Sequence, residues 1–131
     1  MAELFSEEWA NGFKDRWNAD SELAGALEKI GFNSNIGYGF DGEDKPRCYI
    51  RVENGRVTEA GTYGGQELNW DLRATASNWQ KWLTKPPGMM GLGAAFASGK
   101  MKFKVGDYSA MIKDPRMAGP FIKSFSVMAR V

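Results

Sequence analysis

The sequence of 131 residues contains no histidine. That excludes His-based catalytic triads, imidazole general bases and mixed Cys/His zinc sites, leaving carboxylates, lysine, tyrosine and one thiol for chemistry. The thiol is Cys48, and a single cysteine closes no internal disulfide, so a reducing, cytoplasmic setting is expected. An excess of either charge is also lacking. Seventeen basic against sixteen acidic residues give a net charge of +1, which argues against a protein built to track a nucleic-acid backbone. The longest apolar stretch, Met89 to Ala97, is diluted with Gly and Ala and falls far short of the roughly 20 residues that span a bilayer. The start, Met1 to Glu8, has neither the basic beginning nor the apolar core of a signal peptide. Ala129-Arg130-Val131 matches a peroxisomal tripeptide only loosely, because its last residue is not Leu.

What is present fits one domain over 1–131, long enough to bury a core without disulfides or metal. Residues 1–32 read as helices. Ser6 is placed to cap a helix with Trp9, Phe13 and Trp17 at four-residue spacing, and Asp20 to cap a second with Leu23, Ala24, Leu27 and Ile30, ended by Gly31. Over 34–75 the period becomes two. Ile36, Tyr38 and Phe40 share a face, as do Cys48, Ile50 and Val52, and as do Leu68, Trp70, Leu72 and Ala74. Asn54-Gly55 predicts a two-residue hairpin and Tyr63-Gly64-Gly65 a second reversal. Strands with one polar face need helices on the other face only, so the fold expected is α+β, an antiparallel sheet with its helices on one side.

Residues 76–131 return to helices, interrupted by one strand. Ser77 and Gln80 resemble a capping box for a helix with Trp79, Trp82 and Leu83, stopped by Pro86-Pro87. A Met/Gly/Ala segment follows, ended by Gly99, and Lys100 to Val105 alternates lysines with apolar residues as a half-buried strand does. Asp107 is placed to cap a short helix with Met111 and Ile112, and Pro120 to open a last helix with Phe121, Ile122, Phe125 and Met128. Gly37-Tyr38-Gly39-Phe40-Asp41-Gly42 formally matches a dinucleotide glycine pattern, but the helix that pattern requires is missing. Cys48 reads as an inert core thiol, and Asp41 to Asp44 as a solvated loop without metal-ligand spacing. No catalytic residue, metal or cofactor is expected.

The succession Trp79 and Leu83 on a helix, Ser98-Gly99-Lys100, an alternating strand, then Gly106-Asp107 opening a helix resembles the sterol carrier protein type 2 family over roughly Asn33 to Met128. The resemblance implies a five-stranded antiparallel sheet, helices on one face, and an elongated apolar tunnel for a fatty acid, fatty acyl-CoA, sterol or related lipid. Delivery would involve transient contact with a membrane surface or a partner enzyme. Inward positions on the elements around such a tunnel are Trp82, Met90, Phe96, Met101, Phe103, Met111, Phe121 and Phe125. Six of the seven methionines fall at or after position 89, and their flexible rotamers suit a surface that adapts to its ligand. Lys100, Lys102 and Lys104 offer charge to a head group, or guard an edge strand. The function expected is a non-catalytic lipid carrier. The alternatives are an enzyme or accessory subunit acting on a hydrophobic or thioester substrate near Asp107 or Tyr108, and a partner-binding module.

Overall fold

The computed structural model describes residues 3–131. Met1 and Ala2, the first residues of the stretch read for a signal peptide, lie outside the described residues. Helix α1 (Glu7–Ala19) starts at Ser6, whose hydroxyl accepts from the Trp9 amide at 3.1 Å. Asp20 caps a π-helical turn (Ser21–Gly25) that runs on into α2 (Ala26–Lys29), its carboxylate accepting from the Glu22 and Leu23 amides. Strands β1 (Ser34–Phe40), β2 (Cys48–Glu53), β3 (Arg56–Thr62) and β4 (Trp70–Ala74) follow. Then come α3 (Ala76–Thr84), α4 (Met89–Ala97), β5 (Lys102–Val105), α5 (Tyr108–Lys113) and α6 (Pro115–Met128).

The five strands form one sheet in the order β3-β2-β1-β4-β5. Asn54 and Gly55 both have positive φ, as a tight β2–β3 hairpin demands, and β4 pairs with β5 antiparallel. The exception to antiparallel pairing is β1 with β4, in which Ile36 lies beside Trp70 and Tyr38 beside Leu72. A plain meander would have put β4 next to β3. Instead the chain after Thr62 crosses the outer face of the sheet to reach β1, and the crossing is held by specific contacts. The Asn69 amide donates to the Asn35 carbonyl, and the Asn35 side chain donates to the Glu67 carbonyl. Gly37 makes room for this path, since a Cβ there would meet Leu68 at 2.8 Å. Leu68 therefore packs on the outer face rather than sharing the inner face with Trp70. Of the glycines in the formal dinucleotide pattern, Gly37 and Gly39 serve close passage of chain over strand and Gly42 takes a positive φ in the turn, with no helix after them.

The inner face carries Ile36, Tyr38, Ile50, Val52, Leu72 and Ala74, all buried under the helices. Trp79 sits at the centre of this packing with no exposed surface; its indole N–H donates to the Gly39 carbonyl at 2.8 Å. Two helix starts differ from the sequence expectation. Thr75, not Ser77, caps α3 by accepting from the Asn78 amide at 3.2 Å. Asp114-Pro115, not Pro120, opens α6: the Asp114 carboxylate accepts from the Arg116 amide, and Pro115 occupies a position whose amide has no helical partner. Pro120 thus lies inside the helix.

The outer face of β4 reads as polar and solvated in sequence, yet Asp71 and Arg73 are buried. The loop between β1 and β2 covers them. Arg73 donates from Nε and Nη2 to the two Asp71 oxygens at 2.6 and 3.0 Å, and from Nη1 to the Glu43 carbonyl at 2.6 Å. Removing one partner of such a pair leaves a desolvated charge, which typically costs about 3–5 kcal/mol. Asp71→Ala should lower unfolding free energy by about that amount in urea titration, and Asp71→Leu combined with Arg73→Met should recover most of it.

Candidate ligand-binding cavity

Between the inner face of the sheet and the C-terminal helices lies an apolar cavity of about 40 Å³. Its floor is Ile36 and Tyr38 of β1 with Trp70 and Leu72 of β4. Its roof is Met111 of α5 with Met117, Pro120, Phe121 and Ser124 of α6, and Trp17, Leu27 and Phe32 close one end. Phe32, Trp70, Met117 and Phe121 are only half-buried, so the cavity has a rim at the surface. The described lining residues include no Asp, Glu, Lys, Arg or Cys. Tyr38 contributes the one phenol, and burial pushes its ionisation far above the ordinary tyrosine value, so it stays neutral. The Ser124 hydroxyl is turned back onto the Phe121 carbonyl at 2.5 Å. Such a wall suits an alkyl chain and offers nothing to a charge.

The Gly106-Asp107 pair has a structural reason. Gly106 has φ +105°, and an ideal Cβ there would fall 2.3 Å from the Trp70 ring, so glycine lets that indole lie flat as cavity wall. Asp107 accepts from the Ala110 amide at 3.0 Å and so starts α5, which carries Met111 to the roof. Its carboxylate is committed as a helix cap.

Of the eight residues expected at the ligand, Met111 and Phe121 line the cavity. Trp82, Phe96, Phe103 and Phe125 join a chain of aromatic contacts running from it: Phe121 meets Phe103 at 6.0 Å and Phe125 at 5.4 Å between ring centroids, Phe125 meets Trp82 at 6.3 Å, and Phe96 meets Phe103 at 6.0 Å. Met101 is buried in the core, and Met90 points to solvent with 88% of its surface exposed. The missed wall residues Ile36, Tyr38, Trp70 and Leu72 were marked by strand alternation, which cannot tell cavity from core. Met117 was hidden by starting the last helix too late. Among the three lysines of β5 and its approach, Lys102 is engaged with Asp41 at 3.0 Å, and that contact holds the Asp41 carboxyl below its usual range. Burial pushes the Cys48 thiol far up, consistent with an inert core group. Among the described residues no cluster of His, Cys, Asp and Glu could hold a metal, and no helix is long and apolar enough to cross a membrane.

A five-stranded sheet with helices on one face and an uncharged cavity beneath them defines an α+β fold. Comparison with solved structures gives the same answer. The chain has the fold of sterol carrier protein 2: one crystal structure of that protein superposes with TM-score 0.78 at 19% identity, covering 98% of this chain and 99% of that one. A conserved hypothetical protein from Thermus thermophilus matches with TM-score 0.66 at 16% identity over 98% of this chain and 86% of that one. Palmitated SCP2L2 from Aedes aegypti matches with TM-score 0.50 at 13% identity over 86% and 92%. No protein-family sequence model matches the chain, and no curated protein sequence matches it significantly.

Gly106→Ala should be destabilising by about 2–4 kcal/mol, from positive-φ strain and the collision with Trp70. Near-UV circular dichroism should change with it. An unperturbed aromatic spectrum and unchanged unfolding would show that Gly106 does not seat the Trp70 wall.

Proposed function

We propose that this protein is a non-catalytic carrier that holds the alkyl chain of a fatty acid or related lipid between β1, β4, α5 and α6. The observation that carries the reading is the uncharged cavity itself, floored by Tyr38, Trp70 and Leu72 and roofed by Met111, Met117 and Phe121. At about 40 Å³ it is a seed for a ligand site rather than a finished tunnel. Loading requires α5 and the first turns of α6 to move outward. The sequence there favours that motion: two methionines with adaptable rotamers form the roof, and Pro120 removes a backbone hydrogen bond inside α6. A slender chain needs less opening than a sterol ring system, so single acyl chains come first among ligands. Burying eight to ten methylenes supplies roughly 6–8 kcal/mol before ordering costs, enough for binding in the micromolar range when those costs are small. A solved neighbour described as palmitated supports the same ligand class. The expected setting is the reducing cytoplasm.

The enzyme reading has less to stand on. Asp107 is spent as a helix cap, Tyr108 stacks on Phe96 at 4.3 Å, and the described cavity wall presents no carboxylate or amine.

Met111→Trp, which fills the roof, should weaken palmitate binding at least tenfold in a fluorescent-fatty-acid displacement titration while the far-UV spectrum is retained. Unchanged affinity in the folded variant would place the lipid elsewhere and remove this cavity from the account.

A further inference from the structure

We infer that α4 and its flanking lysines form a docking face for an anionic lipid bilayer. Helix α4 has no charged or polar side chain, and most of it faces outward: Met90 is 88% exposed, Met89 48% and Phe96 37%. Among the described residues, four of the five strongly exposed large apolar side chains fall between Met89 and Val105. The same part of the sequence is separated by charge. From Leu72 to Gly106 there is no Asp or Glu, although the chain has sixteen, while Lys81, Lys85, Lys100, Lys102 and Lys104 all lie within it. Among the described residues no carboxylate pairs with Lys81, Lys85, Lys100 or Lys104.

The arrangement selects its partner. Lysines stand at both ends of the apolar helix, Lys85 before Pro86-Pro87 and Lys100 after Gly99, and none interrupts it. That order matches the layers of a bilayer surface, with apolar side chains reaching the acyl boundary and ammonium groups among anionic head groups. A second copy of this chain is a poor partner, because a twofold contact would bring two sets of unpaired lysines together. The N-terminal helix offers no equivalent face: Trp9, Phe13 and Trp17 of α1 are buried against the sheet. Exposed α4 is joined to β5 and thence to α5, whose Met111 roofs the cavity, so docking places the carrier beside the membrane from which its ligand comes. Only that last purpose rests on the carrier reading.

The test is co-sedimentation of the full chain with vesicles of 30 mol% phosphatidylglycerol in phosphatidylcholine, against pure phosphatidylcholine, without added fatty acid. The anionic vesicles should bind, and high salt should release the protein. Lys81→Gln with Lys85→Gln should weaken binding by roughly 25-fold at about fivefold per lysine, leaving palmitate affinity unchanged. Met90→Asp should reduce vesicle binding at least tenfold with an unaltered melting curve. Equal binding of wild type to both vesicle types, or full binding by Met90→Asp, would overturn the inference. So would a solution dimer that Met90→Asp dissolves, since α4 would then be a self-association surface. Vesicle binding is read without fatty acid and palmitate affinity without vesicles, so each reading fails separately.

Discussion

The packing of Trp79 is the contact on which the inner face of this protein depends. Its indole is fully buried, bonds to the Gly39 carbonyl of β1, and lies 5.0 Å from Phe5, 5.4 Å from Trp82 and 6.2 Å from Phe125 between ring centroids. One side chain thereby ties the N-terminal segment, the central strand, α3 and α6 together. Aromatic rings fill space well but in fixed shapes, so this end of the molecule is closed and stiff. Tyr38 and Phe121 stand at the border, touching the aromatic cluster on one side and lining the cavity on the other. Beyond them the roof changes to Met111, Met117 and Pro120. The protein is thus rigid where it needs a frame and adaptable where a chain would enter.

The outer face solves a different problem. Pairing β1 with β4 in parallel forces the chain after β3 to cross the sheet, and a crossing loop brings polar backbone groups over buried strand. Gly37 admits the chain, and Asn35 and Asn69 satisfy it through hydrogen bonds. Arg73 does the same for the β1–β2 loop by donating to the Glu43 carbonyl while paired with Asp71. These devices cover the outer face over β1 and β4, while Arg51, Glu53 and Glu59 on β2 and β3 stay exposed.

Much of this frame was legible in the residues. Ser6, Asp20 and Asp107 cap the helices they were expected to cap, because a short polar side chain before an apolar stripe has few other uses. Asn54-Gly55 gave its hairpin for the same kind of local reason. The parallel pairing was not legible, since strand order is set by contacts far apart in sequence. The buried Asp71–Arg73 pair looked like a solvated face, because alternation reports which residues share a side and not what later covers it. The cavity suffered most. Met111 and Phe121, two of the eight candidates, line it, but the floor residues carry the same pattern as any core strand, and a void is a property of what fails to fill a space. Family-level sequence comparison meets the same limit: the fold survives at 19% identity or less because many apolar combinations satisfy its pattern.

The central claim is that the alkyl chain lies between the sheet and the methionines of α5 and α6. Methionine-methyl NMR of the protein loaded with palmitate tests it most directly, because Met111 and Met117 line the cavity while Met89 and Met90 lie on the exposed face of α4. Contacts from acyl methylenes to the Met111 and Met117 methyl groups, with none to Met90, are the result expected. Contacts to Met89 and Met90 alone, with Met111 and Met117 unshifted, would contradict the account.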